Sequence, residues 1–186
     1  MQHIKHRVSI EKRPLYINAR RQPGHWETDY LLFSQYGQSV LVAEERVSRF
    51  LLLAKPPSRK AEPTASQLLN WLSRLPPLLR RTLTQDNGTE FALHHTLRDA
   101  LGIKTLFCNP HSPWQKGGIE NANGRIRRLL PRQANLDNYP PHHIDAIAHR
   151  LNNTPRKCLG FKTPAEISSN HLLHFKCEST SPLSRG

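Results

Sequence analysis

His25-Trp26-Glu27-Thr28-Asp29-Tyr30-Leu31-Leu32-Phe33 has the aromatic and apolar content of a β-strand. Ser34-Gln35-Tyr36-Gly37-Gln38 then offers turn chemistry, and Ser39 to Val47 resumes the strand pattern with Val40, Leu41 and Val42. After Ser48-Arg49, a third apolar run from Phe50 to Ala54 is stopped by Pro56-Pro57, because proline has no N–H to give a sheet ladder. Three strands joined by short connections predict an antiparallel series.

The hydrophobic period then changes. Ala65, Leu68, Leu69 and Leu72 recur at steps of three and four, with Thr64 or Ser66 as a cap and Pro76-Pro77 as the stop, which predicts a helix. Thr82 to Gln85 reads as a fourth strand that delivers Asp86 to its C-terminal end. Phe91 to Leu101 reads as a helix capped by Gly102, and Ile103 to Cys108 as a fifth strand. Asn109-Pro110-His111-Ser112-Pro113 is a loop by composition. A helix from Ile119 to Leu130 ends at Pro131, another runs from His143 to Asn152, and a polar tail starts at Ser168. This order predicts an α/β fold: a five-stranded mixed sheet flanked by helices.

With 186 residues, the chain has room for one domain. Twenty-seven Lys and Arg against fourteen Asp and Glu give a formal charge of +13, which favours a polyanionic partner, nucleic acid first. A membrane is not expected as partner, because the longest apolar run, Phe50 to Ala54, is far below the ~20 residues of a spanning helix. Met1 to Lys12 is polar and basic, with no apolar segment of an export signal, so a soluble cytoplasmic protein associated with the nucleoid is expected. Cys108, Cys158 and Cys177 are widely spaced and suggest neither a disulfide framework nor a zinc knuckle. Residues 1–23 are charged and aperiodic and read as a basic arm or linker.

Three carboxylates fall where separate elements converge. Asp29 lies within a strand whose neighbours look buried, where a carboxylate is costly without a cation. Asp86 follows a strand and enters a sharp turn at Asn87-Gly88. Glu120 opens a helix whose core stripe is Ile119, Ala122, Ile126, Leu129 and Leu130. Arg127 lies seven residues on, ~20° around the axis and ~10 Å along it, with Asn123 between. A carboxylate and a guanidinium on one flank suit a metal and a phosphate of the same strand, although a solvated amphipathic helix reads equally well from this segment alone. Arg125, Arg128 and Arg132 point more nearly outward and suit backbone contacts. Gly117-Gly118 weakens any helix before Glu120 by ~1 kcal/mol per glycine, which predicts a mobile loop there.

Three blocks carry a resemblance: Gly24-His25-Trp26-Glu27-Thr28-Asp29, Thr84-Gln85-Asp86-Asn87-Gly88-Thr89-Glu90-Phe91, and Ser112-Pro113-Trp114-Gln115-Lys116-Gly117-Gly118-Ile119-Glu120-Asn121-Ala122-Asn123-Gly124. In this order, with 33 residues between Asp86 and Glu120, they resemble the insertion-sequence transposases of the IS-thirty family. The likeness runs on through Leu151-Asn152-Asn153-Thr154-Pro155-Arg156 and Gly160-Phe161-Lys162-Thr163-Pro164-Ala165-Glu166. It implies a ribonuclease-H-like, integrase-type catalytic domain over residues 24–167, with residues 168–186 as a flexible C-terminal tail. It further implies an acidic triad of Asp29, Asp86 and Glu120 that holds two Mg²⁺ ions, for which Mn²⁺ substitutes, and a basic helper at Arg127. DNA contacts are expected from Arg127, Asn123, Lys116, Arg125 and Arg128. The implied reaction is metal-dependent DNA strand cleavage and strand transfer, in a homodimer or higher oligomer while two ends are joined.

Such transposases carry an N-terminal helix-turn-helix region, whereas 23 residues precede Gly24 here, so a truncated transposase is expected. Two other readings stay open. A ribonuclease H shares fold and metals, and a catalytically silent, non-specific DNA-binding remnant fits the charge.

Overall fold

Alternation along the first strand sorts its side chains between two faces, and each face recruits its own helices. The computed structural model describes residue 4 and residues 6–34, 37–110 and 112–180. Gln35 and Tyr36 of the expected turn, His111 of the expected loop, Met1, Gln2, His3 and Lys5 of the arm, and 181–186 of the tail lie outside the described residues.

The strands are β1 (His25–Leu32), β2 (Ser39–Glu45), β3 (Leu51–Ala54), β4 (Thr82–Gln85) and β5 (Lys104–Phe107). Their order in the sheet is β3-β2-β1-β4-β5. β1, β2 and β3 pair antiparallel, while β4 and β5 run parallel to β1. The helices are α1 (Leu15–Asn18), α2 (Ala61–Ser73), α3 (His94–Leu101), α4 (Gly117–Arg127), α5 (Pro141–Asn152) and α6 (Pro164–Thr180). This is the expected ribonuclease-H-like α/β arrangement, a mixed sheet with helices on its faces.

Leu31, Phe33, Val40, Val42, Leu51 and Leu53 form one core face with Ile119, Ala122 and Ile126 of α4 and with Ile144, Ile147 and Leu151 of α5. Trp26, Tyr30, Leu41, Ala43 and Leu83 form the other with Leu68 and Leu72 of α2 and Leu97 of α3. Ile119 and Ile126 are fully buried, and each contributes roughly 1.5–3 kcal/mol of burial that fastens α4 to the sheet.

Several boundaries differ from the sequence reading, among them α4 ending at Arg127 instead of Leu130 and α5 starting at Pro141 instead of His143. α2 starts at Ala61, before the expected caps, because Pro63 sits in the first turn, where its missing N–H costs nothing. Thr64 Oγ1 donates back to the Lys60 carbonyl, 2.7 Å away, instead of capping. α3 begins at His94, later than the expected Phe91, since Thr89–Phe91 forms a 3-10 turn before it. Gly117 and Gly118 are helical and follow the 3-10 turn Pro113–Lys116, so α4 starts where a mobile loop was expected. α6 continues to Thr180 through the stretch expected as a tail. Its start is fixed by a reciprocal capping box, Glu166 N to Thr163 Oγ1 at 3.1 Å and Thr163 N to Glu166 Oε2 at 2.6 Å.

The arm packs along the sheet. Ser9 bridges Phe107 of β5, and Ile10 and Ile17 are buried. Among the described residues, no helix is long and apolar enough to cross a membrane.

Candidate active site

Strand register brings two of the three carboxylates together. Glu27 pairs with Thr84 across the parallel β1–β4 ladder, so two residues further on Asp29 and Asp86 stand at one level and on one face. Behind Asp86, Asn87 Nδ2 donates to the Cys108 carbonyl at 2.7 Å and Gly88 N donates to Asp86 Oδ1 at 3.0 Å. The turn is thus tied to the end of β5.

The Lys116 ammonium lies between the two carboxylates, 3.3 Å from Asp29 Oδ1 and 3.5 Å from Asp86 Oδ2. The loop holding it is closed by Asn109 N donating to Gln115 Oε1 at 2.8 Å. Asn123 Nδ2 donates to Asp29 Oδ2 at 3.2 Å, and Tyr30 N donates to Asp29 Oδ1 at 2.9 Å. Burial pushes the Asp29 carboxyl above its ordinary pKa, against the opposing pull of Lys116. Burial alone would lower Lys116, yet Asp29 and Asp86 together hold it above the usual lysine value. Lys116 and Asn123, both expected on DNA, therefore serve this carboxylate pair.

Glu120 is exposed and stands between Lys116 and Asn123 in sequence. On α4 it lies about 60° from Asn123 and about 40° from Gly124, at the boundary between two flanks. Its side chain lines a cleft on the Gly124 flank, with Glu44, Arg49, Arg125, Arg128 and Arg156. Among the described residues, no three His, Cys, Asp or Glu side chains lie close enough to share a metal ion.

Arg127 donates to the Leu32 carbonyl at the end of β1, and its guanidinium stacks 4.6 Å above the Phe33 ring. It holds α4 to β1. Arg125 donates to Glu44 Oε1 at 3.3 Å, and Arg128 is exposed.

Beneath the first turn of α4 lies a group of buried charges that the sequence reading missed. Glu27 and Glu44 are directly opposed across β1 and β2, both 1% exposed. Glu27 Oε2 accepts from Ile119 N at 3.2 Å, and Glu27 Oε1 lies 3.3 Å from Arg46 Nε. Burial raises Glu44 to about 7 despite Arg49 and Arg125. A Cβ on Gly118 would come within 2.9 Å of Glu27 Oε2 and 3.0 Å of Glu44 Oε2, so glycine lets α4 settle onto these carboxylates. The available signal was alternation, since Glu27 shares the face of Asp29 two residues away.

The charge demand of the site suits hard cations. Asp29 and Asp86 offer carboxylate oxygens from adjacent strands to one shared positive charge, now an ammonium, and oxygen donors of this kind are what Mg²⁺ and Mn²⁺ take.

No protein-family model matches the chain. Among curated proteins it is 42% identical over 165 residues to the transposase for insertion sequence element IS1086 of Cupriavidus metallidurans, covering 89% of this chain and 49% of that protein. It is 39% identical over 158 residues to the transposase InsI for insertion sequence element IS30A of Escherichia coli, covering 85% of this chain and 41% of the relative. To the transposase for insertion sequence element IS4351 of Bacteroides fragilis it is 34% identical over 163 residues, 88% of this chain and 50% of the other. The chain spans about half the length of the relatives it matches. Homology along nearly all of its own length, on a fold of the kind the motifs imply, makes this chain a member of the IS30 family of insertion-sequence transposases.

Proposed function

We propose that the chain carries the catalytic centre for metal-dependent cleavage and strand transfer of DNA. The observation that carries this reading is the pair Asp29 and Asp86, set side by side by the β1–β4 register around a single cationic group. Asp29, Asp86 and Glu120 would hold two Mg²⁺ ions, with Mn²⁺ able to substitute. When bound, such ions activate the attacking oxygen and stabilise the charge on the phosphorus centre and the leaving oxygen.

The chain's own residues have separate tasks in this reading. Asp29 and Asp86 are fixed by the sheet, and Asn123 orients the Asp29 carboxylate. Glu120, on the exposed first turn of α4, turns from the Gly124 flank to the Asn123 flank to complete the set. Lys116 leaves the carboxylate pair and, with Arg125 and Arg128, meets phosphates of the DNA. Arg127, through its hold on Leu32 and Phe33, sets the distance between α4 and β1 and lies beside the strand path. End joining calls for at least two copies of the chain during the reaction.

One observation favours the silent DNA-binding reading: the Lys116 ammonium already sits between the two carboxylates and offsets part of their charge. Supercoiled plasmid incubated with the chain and Mg²⁺ or Mn²⁺ separates the two. Nicking by the parent that Asp86→Asn abolishes supports the catalytic reading. Plasmid binding with no nicking in either metal supports the silent one.

A further inference from the structure

On the flank of α4 away from Asp29 lies an open cleft of about 480 Å³. Four guanidiniums from three parts of the chain line it: Arg49 from the β2–β3 turn, Arg125 from α4 with Arg128 just past its end, and Arg156 from the segment after α5. Glu44 and Glu120 are its carboxylates, so positive charge exceeds negative by two.

Two of these arginines are held in place by the protein. Arg156 donates to the Leu151 carbonyl at 2.9 Å and Arg125 to Glu44 at 3.3 Å. Yet the Nε atoms of both are buried without a hydrogen-bond partner, so neither guanidinium is fully satisfied by the protein. Burial lowers the Arg156 pKa, a sign that its charge is poorly solvated where it stands. A fixed guanidinium with a spare N–H edge is suited to the oxygens of a phosphate diester, which accept in the same fork geometry. Gly124 faces open space, since a Cβ there would meet nothing within 4 Å.

We propose that this cleft is a second phosphate seat, in which Arg49, Arg125, Arg128 and Arg156 take a backbone phosphate of DNA on the far side of Glu120 from the Asp29–Asp86 pair. The proposal rests on DNA being the partner. A strand that reaches from this seat across the first turn of α4 to the carboxylates passes directly over Glu120, and the seat fixes where along the strand the reaction falls. It needs no base contact, so it is blind to sequence.

The test is binding of a fluorescent 30-base-pair duplex of arbitrary sequence in EDTA, across a salt series. Arg49→Gln with Arg156→Gln should lower affinity at 100 mM salt by about tenfold or more and flatten the log K against log salt slope by about one unit or more. Gly124→Glu, which puts a negative charge into open space without disturbing a neighbour, should lower affinity as strongly, while Gly124→Gln should not. Arg98→Gln, far off on α3 and paired with Asp99, should change neither quantity appreciably. A parent without salt-dependent duplex binding would refute the DNA reading itself. A parent that binds, with the double variant and Gly124→Glu both matching Arg98→Gln, would overturn the second seat and leave the DNA reading standing.

Discussion

Glu27 and Glu44 face each other across β1 and β2, both sealed from solvent under the first turn of α4. Like charges directly opposed in a sheet repel, and the sheet keeps them only because Arg46, Arg49, Arg125 and the Ile119 N–H surround them. The turn that carries Glu120 is therefore seated on a strained electrostatic base.

That base gives stability a pH dependence. Glu44 titrates near 7 in the fold against an ordinary 4.5, so its proton stabilises the fold fully below about 4.5, and this contribution is lost as pH rises through about 7. The groups facing it are Arg49, Arg125 and Arg20, which pull its pKa down, and Glu27, which raises it. The shift corresponds to about 3 kcal/mol at most. Glu44→Gln keeps an acceptor for Arg125 without the charge. Its unfolding free energy relative to the parent should rise by about 1–3 kcal/mol between pH 5 and pH 8, measured by urea unfolding at each pH. His25, held near 4 by burial, weakens both proteins alike on acidification and cancels in the difference.

Gly118→Ala should destabilise the chain even though alanine is the better helix former by about 1 kcal/mol. The new methyl would press on the Glu27 and Glu44 carboxylates, neither of which has room to withdraw. A net loss of about 1–3 kcal/mol is expected. Gly117→Ala, whose Cβ would meet nothing within 4 Å, should be neutral or stabilising. Equal effects of the two substitutions would show that the seat beneath Gly118 is looser than described.

Much of this architecture was readable in advance, for reasons that particular residues make plain. The aromatic and apolar content of β1 and β2, the turn chemistry between them and the stop at Pro56-Pro57 defined the antiparallel half, and Gly102, at φ +69°, closed α3 as expected. The start of α4 was misread because glycine propensity weighs only the local backbone, whereas Gly118 answers to carboxylates on two strands far away in sequence. The helix at Pro164 had its signal in Thr163-Pro164-Ala165-Glu166, a capping box that went unread because the stretch after it is polar. The β1–β4 register sets Asp29 beside Asp86, but the place of Lys116 between them needs the fold of the loop before α4, which no local pattern encodes.

Lys116→Gln removes the cation shared by Asp29 and Asp86, leaving two carboxylates with less compensation. In EDTA the variant should unfold several degrees below the parent, a loss of about 1–2 kcal/mol. Addition of 10 mM Mg²⁺ should restore more stability to the variant than to the parent, because no ammonium has to be displaced. Calorimetric titration of Mg²⁺ should accordingly show tighter binding to Lys116→Gln. Weaker Mg²⁺ binding than in the parent would mean that Lys116 supports the metals instead of standing in for one.

The central claim, that Asp29, Asp86 and Glu120 act together on DNA, is tested most directly by measuring plasmid nicking and duplex binding side by side. The panel is the parent, Asp29→Asn, Asp86→Asn and Glu120→Gln, each in Mg²⁺ and in Mn²⁺. Neutralising a carboxylate weakens metal binding and also relieves its repulsion of phosphate. Each variant should therefore nick at least about a hundredfold more slowly, a barrier increase of roughly 2.7 kcal/mol or more, while binding duplex as tightly as the parent or tighter. Nicking at the parental rate in all three variants would contradict the account.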